Sequence, residues 1–232
     1  YKILAADYSQ IELRVIASLS EDKAMMAAFN AGEDIHTRTA AEMFKKDIGT
    51  VTKQERYNAK AINFGVIYGL GSLGLSRQTG VTRKEAKAFI DQYFTVYSNV
   101  KKYLDSLKEF AAKEGYVETL FGRKRYIPDI HSSAPQIKAA AERMAINAPV
   151  QGTSADLMKM AMIKIYNKSL EKFPKVKMIL QVHDELVFEV PEKQVKEYSD
   201  FIKDTMNTIY KLNVPLVTDV EYGDSWGGMM EV

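Results

Sequence analysis

The chain has 232 residues, 46% of them hydrophobic, enough to bury a sizeable core in one large domain or two smaller ones. Lys and Arg number 32 against 30 Asp and Glu, and the resulting net charge of +2 neither demands nor excludes a nucleic-acid partner. The lack of cysteine excludes disulfides and thiolate metal centres, fits a reducing cytoplasm, and no run of about 18 apolar residues is present to span a bilayer.

The chain opens at Tyr1, without Met, directly in the apolar run Ile3-Leu4-Ala5-Ala6, and this predicts a sequence that starts inside a larger protein. Lys2 to Ala6 reads as a buried strand and Gln10 to Leu19 as the helix after it. Thr52-Lys53-Gln54-Glu55 is a capping-box pattern, and Gly69 with Gly71 ends the helix it starts. Thr82-Arg83-Lys84-Glu85 repeats that signal ahead of a helix over Ala86 to Tyr97, and a further helix runs from Asn99 to Glu114 and stops at Gly115. Tyr116 to Ile127 reads as a hairpin around Phe121-Gly122, and Ser133 to Asn147 as a helix. Pro149 lacks an amide hydrogen and is expected to break or kink that helix, which resumes from Ala155 to Leu170. Met178 to Val190 holds two β-type runs meeting at His183-Asp184; Glu192 to Tyr210 is an amphipathic helix and Val217 to Tyr222 a last strand. Strands near both ends around a long helical stretch predict an α+β fold with a helical insertion between parts of one sheet.

Several residues sit where their chemistry is costly unless used. Asp7 ends an apolar strand, where a carboxylate must cap, pair or bind a cation; capping the helix from Gln10 is the simpler alternative. His183, Asp184 and Glu185 crowd three ionisable groups onto one turn between apolar runs. A polar hairpin would explain them, and so would a hard divalent metal such as magnesium or manganese. The chain's histidines, His36, His131 and His183, are too few and scattered to favour zinc. Arg56, Lys60, Phe64 and Tyr68 recur every four residues and drift about 40° per step, so they form one helical stripe. Two cations followed by two aromatics suit a polyphosphate joined to a nucleobase, or a surface helix whose cations lie over a core edge. Arg143, Asn147 and Gln151 share the same spacing and offer hydrogen-bond donors that suit minor-groove acceptors, or form an ordinary polar face. The basic run Arg123-Lys124-Arg125 reads as a solvated hairpin tip or a phosphate contact.

Together these segments resemble the DNA polymerases of family A, the bacterial DNA polymerase I group. Asp7-Tyr8-Ser9-Gln10-Ile11-Glu12-Leu13-Arg14 is similar to motif A of that family. Arg56 through Gly69, with Lys60, Asn63-Phe64-Gly65 and Tyr68-Gly69, is similar to motif B, and Val182-His183-Asp184-Glu185 to motif C. Asp34-Ile35-His36, Thr119-Leu120-Phe121-Gly122-Arg123 and Pro149-Val150-Gln151-Gly152-Thr153 match as well, in the family's order over essentially the whole chain.

The resemblance implies a partial right-hand fold: an antiparallel palm sheet from residues 1–20 and 141–232, a large helical fingers insertion over 21–140, and no thumb or exonuclease domain. It implies template-directed DNA synthesis in replication and repair by two-metal phosphoryl transfer. Two Mg²⁺ ions, with Mn²⁺ as an alternative, would sit on Asp7, Asp184 and Tyr8, with Glu185 in support. Gln10, Glu12, His36, Arg56, Lys60, Phe64 and Tyr68 would line the incoming deoxynucleotide; Lys60 would also protonate the leaving group. Arg143, Asn147, Gln151 and His183 would contact primer-template DNA. The position of Glu12 in this family closes the space at the sugar 2′ carbon and so favours DNA over RNA synthesis. The stripe from Arg56 would act as a lid, with Gly69, Gly71 and Gly74 absorbing its motion. A monomer in the bacterial cytosol, without membrane attachment, completes the expectation.

Overall fold

The computed structural model describes all residues from Tyr1 to Val232. In chain order it contains β1 (Lys2–Tyr8), α1 (Ile11–Ser20), α2 (Lys23–Asn30), α3 (Ile35–Phe44), α4 (Lys53–Ile67), α5 (Ser72–Thr79), α6 (Arg83–Val96) and α7 (Ser98–Glu114). There follow β2 (Tyr116–Glu118), β3 (Lys124–Tyr126), α8 (Pro135–Lys172), β4 (Lys177–Val182), β5 (Glu185–Val190), α9 (Val195–Asn207), β6 (Thr218–Gly223) and β7 (Met229–Glu231). The chain separates into two compact units, Tyr1–Glu12 with Ser154–Val232, and Leu13–Thr153. The boundaries fall within α1 and α8.

The first unit is an antiparallel sheet in the order β4-β5-β1-β6-β7. Alternation along β1 sends Leu4, Ala6 and Tyr8 to one buried face, where α9 packs. Val195, Tyr198, Ile202 and Met206 line the buried side of α9, and Tyr198 meets Phe188 edge-on at a centroid distance of 5.3 Å. The opposite face carries acid: Glu185, Asp7 and Asp219 stand side by side in one cross-strand row. On edge strand β4, Ile179 and Leu180 are exposed.

The second unit is helical apart from the β2–β3 hairpin. Thr52 and Thr82 form the two capping boxes expected of them, starting α4 and α6. Ala111, Val117, Ile127, Ile130, Ala141 and Ala145 make a core around the hairpin. Two short helices, α2 and α3, were not anticipated; each is capped by an aspartate, Asp22 and Asp34, accepting from the main-chain amide three residues on.

Of the break or kink expected at Pro149, the break does not occur: α8 runs from Pro135 to Lys172 with Pro149 inside. One missing amide costs one bond of a long ladder, while Ala145, Ile146, Val150 and Leu157 stay buried on both sides of it. Packing outweighs the local defect.

Candidate active site

In the sheet unit, main-chain bonds fix the acidic row. The amide of Tyr8 donates to the carbonyl of Asp184 (3.2 Å) and that of Ser9 to Val217 (2.8 Å), tying the end of β1 to both neighbouring strands. The β4–β5 turn is the dipeptide His183-Asp184, with His183 at φ 54°, in the left-handed region that a non-glycine residue enters at a cost. The Gln181 amide nitrogen donates to the His183 carbonyl (2.6 Å), and the Trp226 indole donates to Glu185 (3.2 Å). Asp7, Asp184, Glu185, Asp219 and Glu221 thus line a cavity of about 430 Å³, together with the exposed His183.

The carboxyl groups of Asp7 and Asp184 lie within hydrogen-bonding range. Desolvation, then the negative charges of Asp184, Glu185 and Asp219, push the Asp7 carboxyl up to about 7. Such crowding is relieved by a proton or by a cation. No group of three or more His, Asp or Glu side chains closes around an ion by itself. A pair of carboxylates with open positions fits Mg²⁺, which keeps waters and takes substrate phosphates as ligands. Tyr8 turns its side chain away, buried, with its hydroxyl donating to the Met206 carbonyl (2.9 Å), so only its main chain is available to a metal. Gln10 also has a positive φ (55°), in the turn leading to α1, and Glu12 lies half-buried in the first turn of that helix.

In the helical unit, α4 buries Ala59, Ile62, Asn63, Val66 and Ile67 and turns Arg56, Lys60, Phe64 and Tyr68 outward, the first two exposed and the last two half-exposed. Arg56 donates through Nε (3.1 Å) and Nη2 (2.8 Å) to the two carboxylate oxygens of Asp34. Burial raises the Asp34 carboxyl, but hydrogen bonds from Arg56 and Thr37 hold it well below the usual carboxylate range. The His36 ring sits 5.7 Å from that of Phe64 and is only 2% exposed. Burial depresses its pKa to about 4, with Asp34 opposing and Arg56 and Lys60 assisting. His36, Arg56, Lys60 and Phe64 therefore form one neighbourhood.

Tyr68 caps the C-terminal end of α4, followed by Gly69 at φ 70°. A Cβ on Gly69 would stand 2.8 Å from Arg143 Cγ, so the glycine lets the arginine stem lie against the end of the stripe. Arg143 and Gln151 are exposed on α8, and Asn147 between them is half-exposed, with its Oδ1 buried and unpaired. Gly152 fits against Thr119 of the hairpin, and the Leu120 amide donates to Thr153 Oγ1 (3.0 Å).

Four polar residues of these clusters had no role assigned from sequence. Asp219 and Glu221 lie on the same sheet face as Asp7, a placement hinted at by the acid alternation in Val217 to Tyr222. Asp34 and Asn63 lie inside motifs but act through partners on another helix.

The profile of DNA polymerase family A matches residues 1–228. The chain is 49% identical to DNA polymerase I of Caldicellulosiruptor bescii over 224 residues, which is 97% of this chain and 26% of that protein. It is 48% identical to the thermostable DNA polymerase I of Thermus filiformis over 229 residues, 97% of this chain and 27% of that protein. It thus spans about a quarter of the length of these curated relatives. Among solved structures, the POL domain of Pol1 from M. smegmatis, in complex with DNA primer-template and dNTP, superposes with a TM-score of 0.93 at 42% identity, over 97% of this chain and 40% of that one. The chain belongs to DNA polymerase family A.

Proposed function

We propose that this chain is the palm-and-fingers portion of a DNA-directed DNA polymerase, with the sheet unit as palm and the helical unit as fingers. It adds deoxynucleotides to a primer 3′-hydroxyl on a DNA template and releases pyrophosphate, in replication and repair. The observation that carries this reading is the meeting of Asp7, on β1, and Asp184, in the β4–β5 turn, at one end of the acidic sheet face.

Two Mg²⁺ ions, or Mn²⁺, on Asp7, Asp184 and the Tyr8 carbonyl would supply Lewis acidity at the primer hydroxyl and the triphosphate. Glu185, held by Trp226, supports that charge from the next position. Arg56 uses two of its five N–H donors on Asp34, and the others remain for phosphate oxygens. Lys60 adds a point charge and holds at Nζ a proton for the leaving pyrophosphate. Phe64 and Tyr68 offer apolar faces to the sugar, base and nascent pair. Gln10 and Glu12 bound the sugar, and Arg143, Asn147, Gln151 and His183 donate to the primer-template near its terminus.

In the full-length chain, Asp184→Ala should abolish primer extension at any Mg²⁺ concentration while primer-template binding stays within a few-fold of wild type, as read by filter binding. Extension at near wild-type rate by that variant would sink the assignment.

A further inference from the structure

Asn63 is fully buried in α4, next to the Phe64 position of the stripe, and touches no solvent. Its Nδ2 donates to Nδ1 of His36 (3.0 Å) and lies 3.1 Å from Oγ1 of Thr39. Thr39 Oγ1 lies 2.7 Å from the Ile35 carbonyl, to which it donates its single proton, and 2.9 Å from the Tyr97 hydroxyl. With that proton committed, Oγ1 is left to accept from Tyr97 and Asn63. Asn63 Oδ1 also lies 3.2 Å from Thr39 Oγ1, so Thr39 touches both ends of the amide, and the side of the amide that faces the ring is its nitrogen, which has only protons to offer His36 Nδ1. The proton of a neutral imidazole is then on Nε2. A buried amide in this orientation selects both the tautomer and the tilt of the ring.

We infer that Asn63 is a positioning residue that holds His36 as the neutral Nε2–H tautomer, so that His36 offers a nucleotide phosphate one N–H donor and no positive charge. This rests on the reading that His36 contacts the triphosphate. Charge is then supplied by Arg56 and Lys60 alone, and a neutral neighbour adds no repulsion between them. The charged groups around the ring are Asp34, which favours an imidazolium, and Arg56 and Lys60, which oppose it; burial adds to the opposition. Thr39, Asn63 and Tyr97 are the uncharged polar groups of the network.

The test is a double-mutant cycle in the full-length chain, reading KM for dNTP and kcat for primer extension, with primer-template affinity as the check on folding. His36→Ala should raise KM for dNTP roughly 10-fold, the loss of one hydrogen bond to a charged group, with a smaller change in kcat. Asn63→Leu should raise KM nearly as much, and the double variant should be no worse than His36→Ala. Asn63→Asp, almost isosteric, can only accept; it draws the proton to Nδ1 and stabilises the imidazolium. KM for dNTP in Asn63→Asp should fall as pH drops from about 8 to about 6, whereas that of the wild type stays flat. An unchanged KM in His36→Ala would overturn the triphosphate contact itself. A raised KM in His36→Ala, with Asn63→Leu either silent or adding its full effect in the double variant, would leave that contact standing and overturn the role of Asn63. A flat pH profile in Asn63→Asp would overturn it too.

Discussion

His36 pairs a titratable ring with almost complete burial, and this has a cost in acid. An unfolded chain takes up this proton near 6.5, whereas the folded chain resists it until about 4. Between those values the unfolded state binds more protons. The contribution of His36 to stability is therefore fully present above about 6.5 and is withdrawn as pH falls toward 4, by an amount on the order of a few kcal/mol. Equilibrium denaturation across this window should show a fall in midpoint that His36→Gln abolishes. Glu12 belongs to the same scale. If its side chain closes the space beside the sugar 2′ carbon, Glu12→Ala in the full-length chain removes a steric block without adding an attraction. Ribonucleotide incorporation relative to deoxynucleotide should then rise by on the order of 10- to 100-fold. An unchanged ratio would reject the gate.

At the scale of elements, α4 depends on its two ends. The Thr52 hydroxyl oxygen accepts from the Glu55 amide (3.2 Å) while the Glu55 carboxylate accepts from the Thr52 amide (2.9 Å). Thr52→Ala should cost about 1 kcal/mol in chemical denaturation. The far end is less forgiving. Gly69→Ala combines a left-handed backbone with a clash against Arg143 and should cost roughly 1–3 kcal/mol. Gly71, with φ −81° and open space around its Cβ position, should accept alanine with little change. The glycines expected to absorb motion thus differ in kind: Gly69 and Gly74 are close-packed against Arg143 and Leu70, and only Gly71 is unobstructed. The capped helices, the hairpin over 116–126 and the strands at both ends were legible because caps and alternation are local signals. Helix α5 was not, because Gly74 inside it argues against a helix until the packing of Leu70 is known. Strand β7, three residues long at a sheet edge, leaves too little pattern to read. Pro149 does not end its helix for the opposite reason: a strong local signal for a break was outweighed by burial on either side of it.

At the scale of the whole molecule, the carboxylates show where local reading ends. Asp7 and Asp184 could each be recognised as misplaced charge at a strand end, but their meeting depends on β1 lying beside β5, a pairing between distant segments. Asp219 needed the same knowledge twice, since alternation marks a face without saying which face holds the other acids. The stripe on α4 was complete in sequence because a helix repeat is self-contained, whereas Asp34 and Asn63 emerged only once α3 lay against α4.

The central position of β1 also carries a consequence for synthesis. Within this sequence β1 comes before both of its neighbours, β5 and β6, which follow every helix of the other unit. At about 5–20 residues per second the ribosome takes roughly 10–35 s to deliver β5. For that interval Ile3 to Ala6 is an apolar strand without the two strands it pairs with. The nascent chain must be shielded throughout, and a ribosome stalled between α8 and β5 would release a fragment prone to aggregate, however well its helices had folded.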